Sequence, residues 1–118
     1  MTESKSTPGK TTIAPDVLTT IARLTTLSVD GVSRFCPEPA GVSRLFHKGL
    51  RDGVRIEVQD DSVYADLYVV LNEDVNIRDV SRNIQMNVAR AISEMVGMQV
   101  GQVNIHIEDI DYPGEPEA

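Results

Sequence analysis

The most constraining stretch of this 118-residue chain is a pair of alternating runs around a short acidic turn. Val54, Ile56 and Val58 alternate with Arg55, Glu57 and Gln59; after Asp60-Asp61-Ser62, Val63, Ala65, Leu67, Val69 and Leu71 alternate with Tyr64, Asp66, Tyr68 and Val70. Side chains of a strand point alternately to its two faces, so this pattern predicts a β-hairpin with one face buried. The other face would carry polar residues together with Tyr64, Tyr68 and Val70.

Two helices and two further strands are expected around the hairpin. Pro15–Ser28 opens with a proline suited to a first helical turn and an acid that complements the helix dipole. Its apolar residues Val17, Leu18, Ile21, Leu24 and Leu27 are spaced as a helical stripe. Asp30-Gly31 is a turn signal, and Val32–Phe35 is expected as a short strand. Residues 36–53, rich in Pro and Gly, read as a long loop. Asn76 is a natural cap for a helix over Ile77–Val96, with the stripe Ile77, Val80, Ile84, Val88, Ala91, Ile92 and Met95, and Gly97 as its stop. Val103, Ile105 and Ile107 alternate with Asn104, His106 and Glu108 in a last strand.

The fold class expected is therefore α+β: a small mixed β-sheet with two helices packed on one face, in the order helix-strand-hairpin-helix-strand. If the strands flanking the second helix are parallel, their crossover should be right-handed. Residues 1–12 read as a flexible tail, 13–108 as one domain, and 109–118 as an acidic tail.

Charge and composition narrow the function. Eleven basic and 18 acidic residues give a net charge of −7, which disfavours nucleic-acid backbones and anionic lipid. Apolar residues make up 41% of the chain and aromatics only 4%, so the core must be aliphatic. One cysteine, Cys36, excludes an internal disulfide framework and fits a reducing, cytoplasmic setting. No run is long enough to span a membrane.

The search for chemistry returns little. Gly9-Lys10-Thr11 is like the end of a phosphate loop but lacks the earlier glycine and the preceding strand. Cys36, His47 and His106 stand apart in sequence, so neither a metal site nor a Cys–His nucleophile is expected. His106 is expected as an exposed histidine at an outward strand position. Asp60-Asp61 and Glu73-Asp74 are explained as turn residues. The element order loosely resembles a KH domain, but Gly49-Leu50-Arg51-Asp52-Gly53 has the wrong spacing for its backbone clamp. No catalytic residue, cofactor or metal ligand is nominated, and the chain is not expected to be an enzyme.

One segment runs against the overall charge. Residues 34–55 carry Arg34, Arg44, Lys48, Arg51 and Arg55 against Glu38 and Asp52, a local balance of +3, with Val42, Leu45, Phe46 and Leu50 among them. Such a segment either folds its apolar residues onto the sheet edge or docks an acidic partner. The candidate partner interface is Arg44, Leu45, Phe46, Lys48 and Arg51 with Tyr64, Tyr68 and Val70 of the hairpin.

Several motifs also resemble one family. Ile13-Ala14-Pro15-Asp16-Val17 and Val29-Asp30-Gly31-Val32 bracket the first helix. Gly53-Val54-Arg55-Ile56-Glu57-Val58 and Ala65-Asp66-Leu67-Tyr68-Val69-Val70 form the hairpin. Val75-Asn76-Ile77-Arg78-Asp79-Val80-Ser81-Arg82-Asn83-Ile84-Gln85 is the most specific stretch, and Val103-Asn104-Ile105-His106-Ile107 ends the series. In that order, over about residues 13–108, they are similar to the alkaline shock protein twenty-three family, also called Gls twenty-four. The resemblance implies a bacterial envelope or general stress response protein. It would be a cytoplasmic scaffold or interaction module that self-associates as a homo-oligomer or binds a membrane-anchored protein partner. Other members are linked to fatty-acid metabolism, which implies the alternative of a regulatory or small-ligand-binding domain. The family has no established catalytic residues to carry over.

Overall fold

The computed structural model describes residues 8–37 and 50–112. In chain order these form α1 (Pro15–Leu27), β1 (Val32–Phe35), β2 (Leu50–Arg51), β3 (Val54–Gln59), β4 (Ser62–Asn72), α2 (Ile77–Val96) and β5 (Gln99–Asp111). The expected α+β class, mixed sheet and element order are all present.

The hairpin is the centre of the sheet. β3 and β4 pair antiparallel from Val54↔Leu67 to Gln59↔Ser62. The two-residue connection Asp60-Asp61 has φ of 50° and 66°. Positive φ at both positions gives the turn whose twist matches that of paired strands. A second such turn, Asp52-Gly53, joins β2 to β3. The expectation of an unbroken loop over 36–53 is corrected there: Asp-Gly beside an alternating run is itself a hairpin signal. Gly53 is required on two counts, its φ of 84° and the 2.8 Å that would separate an added Cβ from the Cys36 carbonyl.

β4 has neighbours on both sides. One edge is shared by β3, along its first half, and by β1, which pairs antiparallel with Val69, Val70 and Leu71. The other edge is filled by β5, parallel over the whole of β4. This ladder steps past an extra residue of β5 twice, at Gly101 and at Glu108. The β4–α2–β5 unit thus meets the parallel condition for a right-handed crossover. β5 is longer than the expected strand, and it incorporates Asp109 and Asp111, which the sequence reading placed in a tail.

Both helices lie on one face. Val63, Ala65, Leu67, Val69 and Leu71 of β4 are fully buried in a cluster with Leu18 and Ala22 of α1 and Val80, Ile84, Val88 and Ile92 of α2. Truncating one of the buried leucines to Ala would cost about 2–5 kcal/mol. α2 begins as expected, the Asn76 side chain accepting from the Asp79 N–H at 3.0 Å, and ends at left-handed Gly97. Its stripe is buried in the middle, but Ile77 and Met95 are exposed. At 1.5 Å per residue, about 30 Å of α2 overhangs about 20 Å of α1.

The expected stripe of α1 needs a larger correction. Leu18, Ala22 and Thr26 are buried, whereas Val17, Leu24 and Leu27 are exposed. The small residues at steps of four face inward and let α1 lie close to the sheet and to α2.

Candidate functional site

The sheet face turned away from the helices carries an ordered polar network. In-register pairing sets Arg55 of β3 and Asn104 of β5 on either side of Asp66. Asp66 Oδ2 accepts from Arg55 Nη1 at 3.3 Å, and Oδ1 accepts from Asn104 Nδ2 at 3.1 Å. Oδ1 also lies 3.0 Å from His106 Nε2, within hydrogen-bond distance for the tautomer with its proton on Nε2. Glu57 extends the network, 3.5 Å from Arg55 Nη2 and 3.1 Å from Gln59 Nε2. One carboxylate thus gathers donors from both flanking strands, and the Asp66 side chain keeps only 18% exposure.

Two tyrosines complete this face. His106 stacks on Tyr68 with ring centroids 4.3 Å apart and planes 11° from parallel. Burial holds the Tyr68 phenol above its ordinary pKa, and the nearby Asp66 charge adds to the effect. Tyr64 lies against Gly101, where a Cβ would collide with the ring. Beyond Tyr68, Arg34 of β1 reaches Asp111 of β5 through two contacts of 3.2 and 3.3 Å. Ser33 also donates to Asp111. This clasp spans β4 between the strands that flank it. The Ser33 hydrogen bond, and then the Arg34 guanidinium, hold the Asp111 carboxyl below its usual range.

The nominated residues fare differently. Tyr64, Tyr68 and Val70 do share this face, but only Tyr64 offers appreciable surface; Tyr68 is 7% and Val70 1% exposed. The chain itself covers the latter two. Arg51 is exposed on β2 and lies 3.1 Å from Asp16 in the first turn of α1. Arg44, Leu45, Phe46 and Lys48 lie outside the described residues. The sequence reading counted Arg55 only among the charges of residues 34–55, nominated neither Asp66 nor Asn104, and treated His106 as a lone exposed residue. Alternation puts all four outward; only the β4–β5 register brings them together.

A second feature sits at the far end of the helices. A groove of about 570 Å³ is lined by Lys10, Thr11, Thr12, Ile13 and other aliphatic side chains, among them Leu18, Val58, Val96 and Met98. Among the described residues, no three His, Cys, Asp or Glu side chains are placed to hold a metal ion. No described helix is long and apolar enough to cross a membrane.

Comparison with known proteins matches residues 3–112 to the alkaline shock protein twenty-three family, whose description is a cell envelope-related function. The chain belongs to this family. An uncharacterized protein of Streptococcus pyogenes serotype M6, Spy1535, is similar at 38% identity over 86% of this chain and 79% of its own length. The uncharacterized protein YqhY of Bacillus subtilis strain 168 is 33% identical over 88% of this chain and 78% of its own length. No solved structure matches. As an alkaline shock protein twenty-three family member, the chain has a cell envelope-related assignment, and both the hairpin and the His106 strand lie inside the matched region.

Proposed function

We propose that this family member is a non-enzymatic interaction module. It acts in the cytoplasm as a scaffold in an envelope or general stress response, through self-association or a membrane-anchored protein partner. The observation that carries the reading is the outer sheet face. Its polar groups are held by one another into a fixed, open surface, as Asp66 holds Arg55, Asn104 and His106. Preorganised side chains lose little freedom when a partner docks, so such a surface suits recognition. The net charge of −7 argues against direct adsorption to anionic lipid and favours a protein as the link to a membrane.

Light scattering after size exclusion, across concentration and salt, tests self-association. Assembly that grows with concentration supports the scaffold. A monomer at every concentration that also captures no membrane protein from a lysate would sink the reading.

The groove beside Lys10 favours a second reading, a regulatory domain that binds a small apolar ligand in lipid metabolism. Its volume is within the range of ligand sites, and Ile13, Leu18, Val58, Val96 and Met98 line it together with the polar Lys10, Thr11, Thr12 and Asp61. A thermal shift with fatty acids or acyl carriers would support it, since a ligand that binds only the folded state raises Tm. No shift with any of them would end it.

A further inference from the structure

The two sides of this sheet end differently. On one side β2 has two residues and β1 has four, so the border is broken into short pieces. On the other side β5 runs for 13 residues and, among the described residues, pairs only with β4. Short or interrupted edges resist pairing with another chain, and a long one invites it. From this edge we infer that β5 pairs antiparallel with β5 of a second copy, joining two sheets into one. The inference rests on the interaction-module reading and names its partner and its surface.

The edge is self-complementary in one register. The two bulges bound a regular stretch, Gln102–Ile107. Antiparallel pairing keeps opposed side chains on the same face. Centring the pair on Ile105 sets Ile105 against its own copy and Val103 against Ile107 on the helix side. Asn104 then faces His106 on the outer side. Glu108, Asp109 and Asp111 fall opposite Gln102, Gly101 and Gln99, so no acid meets an acid. Ile105 and Ile107 are only partly buried in the single chain, which leaves apolar surface for that contact. A parallel copy in register would instead stack acid on acid.

One bond marks which main-chain groups lie open. Gln85 Nε2 of α2 donates to the Val103 carbonyl at 3.0 Å. A carbonyl reached by a helix side chain is turned away from β4. Main-chain direction alternates along a strand, so the N–H and C=O groups of Val103, Ile105 and Ile107 share that open side. These are the groups that the proposed register pairs. Gln85 therefore competes with the second copy for one acceptor in each chain.

The test uses the full chain in three forms: wild type, Gln85→Ala, and Ile105→Cys in a Cys36→Ser background. Sedimentation across concentration should show a dimer that tightens as salt screens two chains of −7. Gln85→Ala should tighten it by about thirtyfold, the scale of two ordinary hydrogen bonds, one regained in each chain. Ile105→Cys should form a disulfide-linked dimer on mild oxidation. Hydrogen-bonded antiparallel partners sit about 5.5 Å apart at Cα, within disulfide reach. Met86→Cys in the same background, exposed on α2, should not form one.

Association that Gln85→Ala leaves unchanged, or that weakens with salt, overturns edge pairing while the interaction-module reading stands. Wild type and Gln85→Ala both monomeric at every concentration overturn it as well, and the module reading then depends on a different protein. If Ile105→Cys does not fold, the Gln85→Ala result decides alone.

Discussion

Asp66 is where the outer face is most exposed to a single change. Its carboxylate accepts from Arg55 and Asn104 and contacts His106, so removing it leaves several donors without that partner. Asp66→Ala is expected to cost about 1–3 kcal/mol, read as a lower urea midpoint with an unchanged slope. Thr26 gives the opposite sign. It is fully buried in α1, and its hydroxyl has no hydrogen-bond partner among the described residues. Thr26→Val keeps the shape and removes the unsatisfied oxygen, so stability should rise by about 1 kcal/mol, seen as a higher Tm. Tyr68 predicts a pH dependence. Its folded pKa is raised above 10.0, so the stabilisation from burying the neutral phenol is fully present below about pH 10. That contribution is lost as pH rises through the folded value. Tyr68→Phe should flatten the alkaline limb of a Tm-against-pH curve, and an unchanged limb would refute the assignment.

At the scale of elements, what can be read from sequence depends on how far its partner lies. The β3–β4 hairpin is legible because alternation and turn are neighbours in the chain, and α2 because cap, stripe and stop are all local. The buried face of α1 is not. Val17, Leu24 and Leu27 are more apolar than Ala22 and Thr26, yet contact with the sheet selects the small residues. The Asp66 network is harder still, since it depends on parallel pairing across a helix and on a register that bulges at Gly101 and Glu108 shift. The Asp60-Asp61 turn carries its own prediction. Both residues hold a positive φ without being glycine. Replacing the pair by Asn-Gly should raise stability by about 1 kcal/mol, and thermal unfolding measures it. A fall in Tm would mean that the aspartates make contacts worth more than the strain.

Across the whole molecule, the Arg34–Asp111 clasp links the first strand to the last. The two side chains are about half and one-third exposed, so solvent and salt weaken the pair. Asp111 has a lowered folded pKa. Its contribution is therefore present above the ordinary carboxylate value of 3.8 and lost as pH falls through the lower folded value. Asp111→Asn should blunt the acid limb of stability, most visibly at low salt; an unchanged acid limb would place the sensitivity elsewhere.

The position of β4 has a consequence for synthesis. A ribosome makes β1 and β3 first, and these complete one border of β4 while α2 and β5 are still unmade. Until the last strand emerges, the nascent chain holds its most apolar strand with one side bare. Such an intermediate is open to capture by a chaperone or by a neighbouring nascent copy on the same messenger. A stop introduced just before Gln99 would freeze that state and make its stickiness measurable.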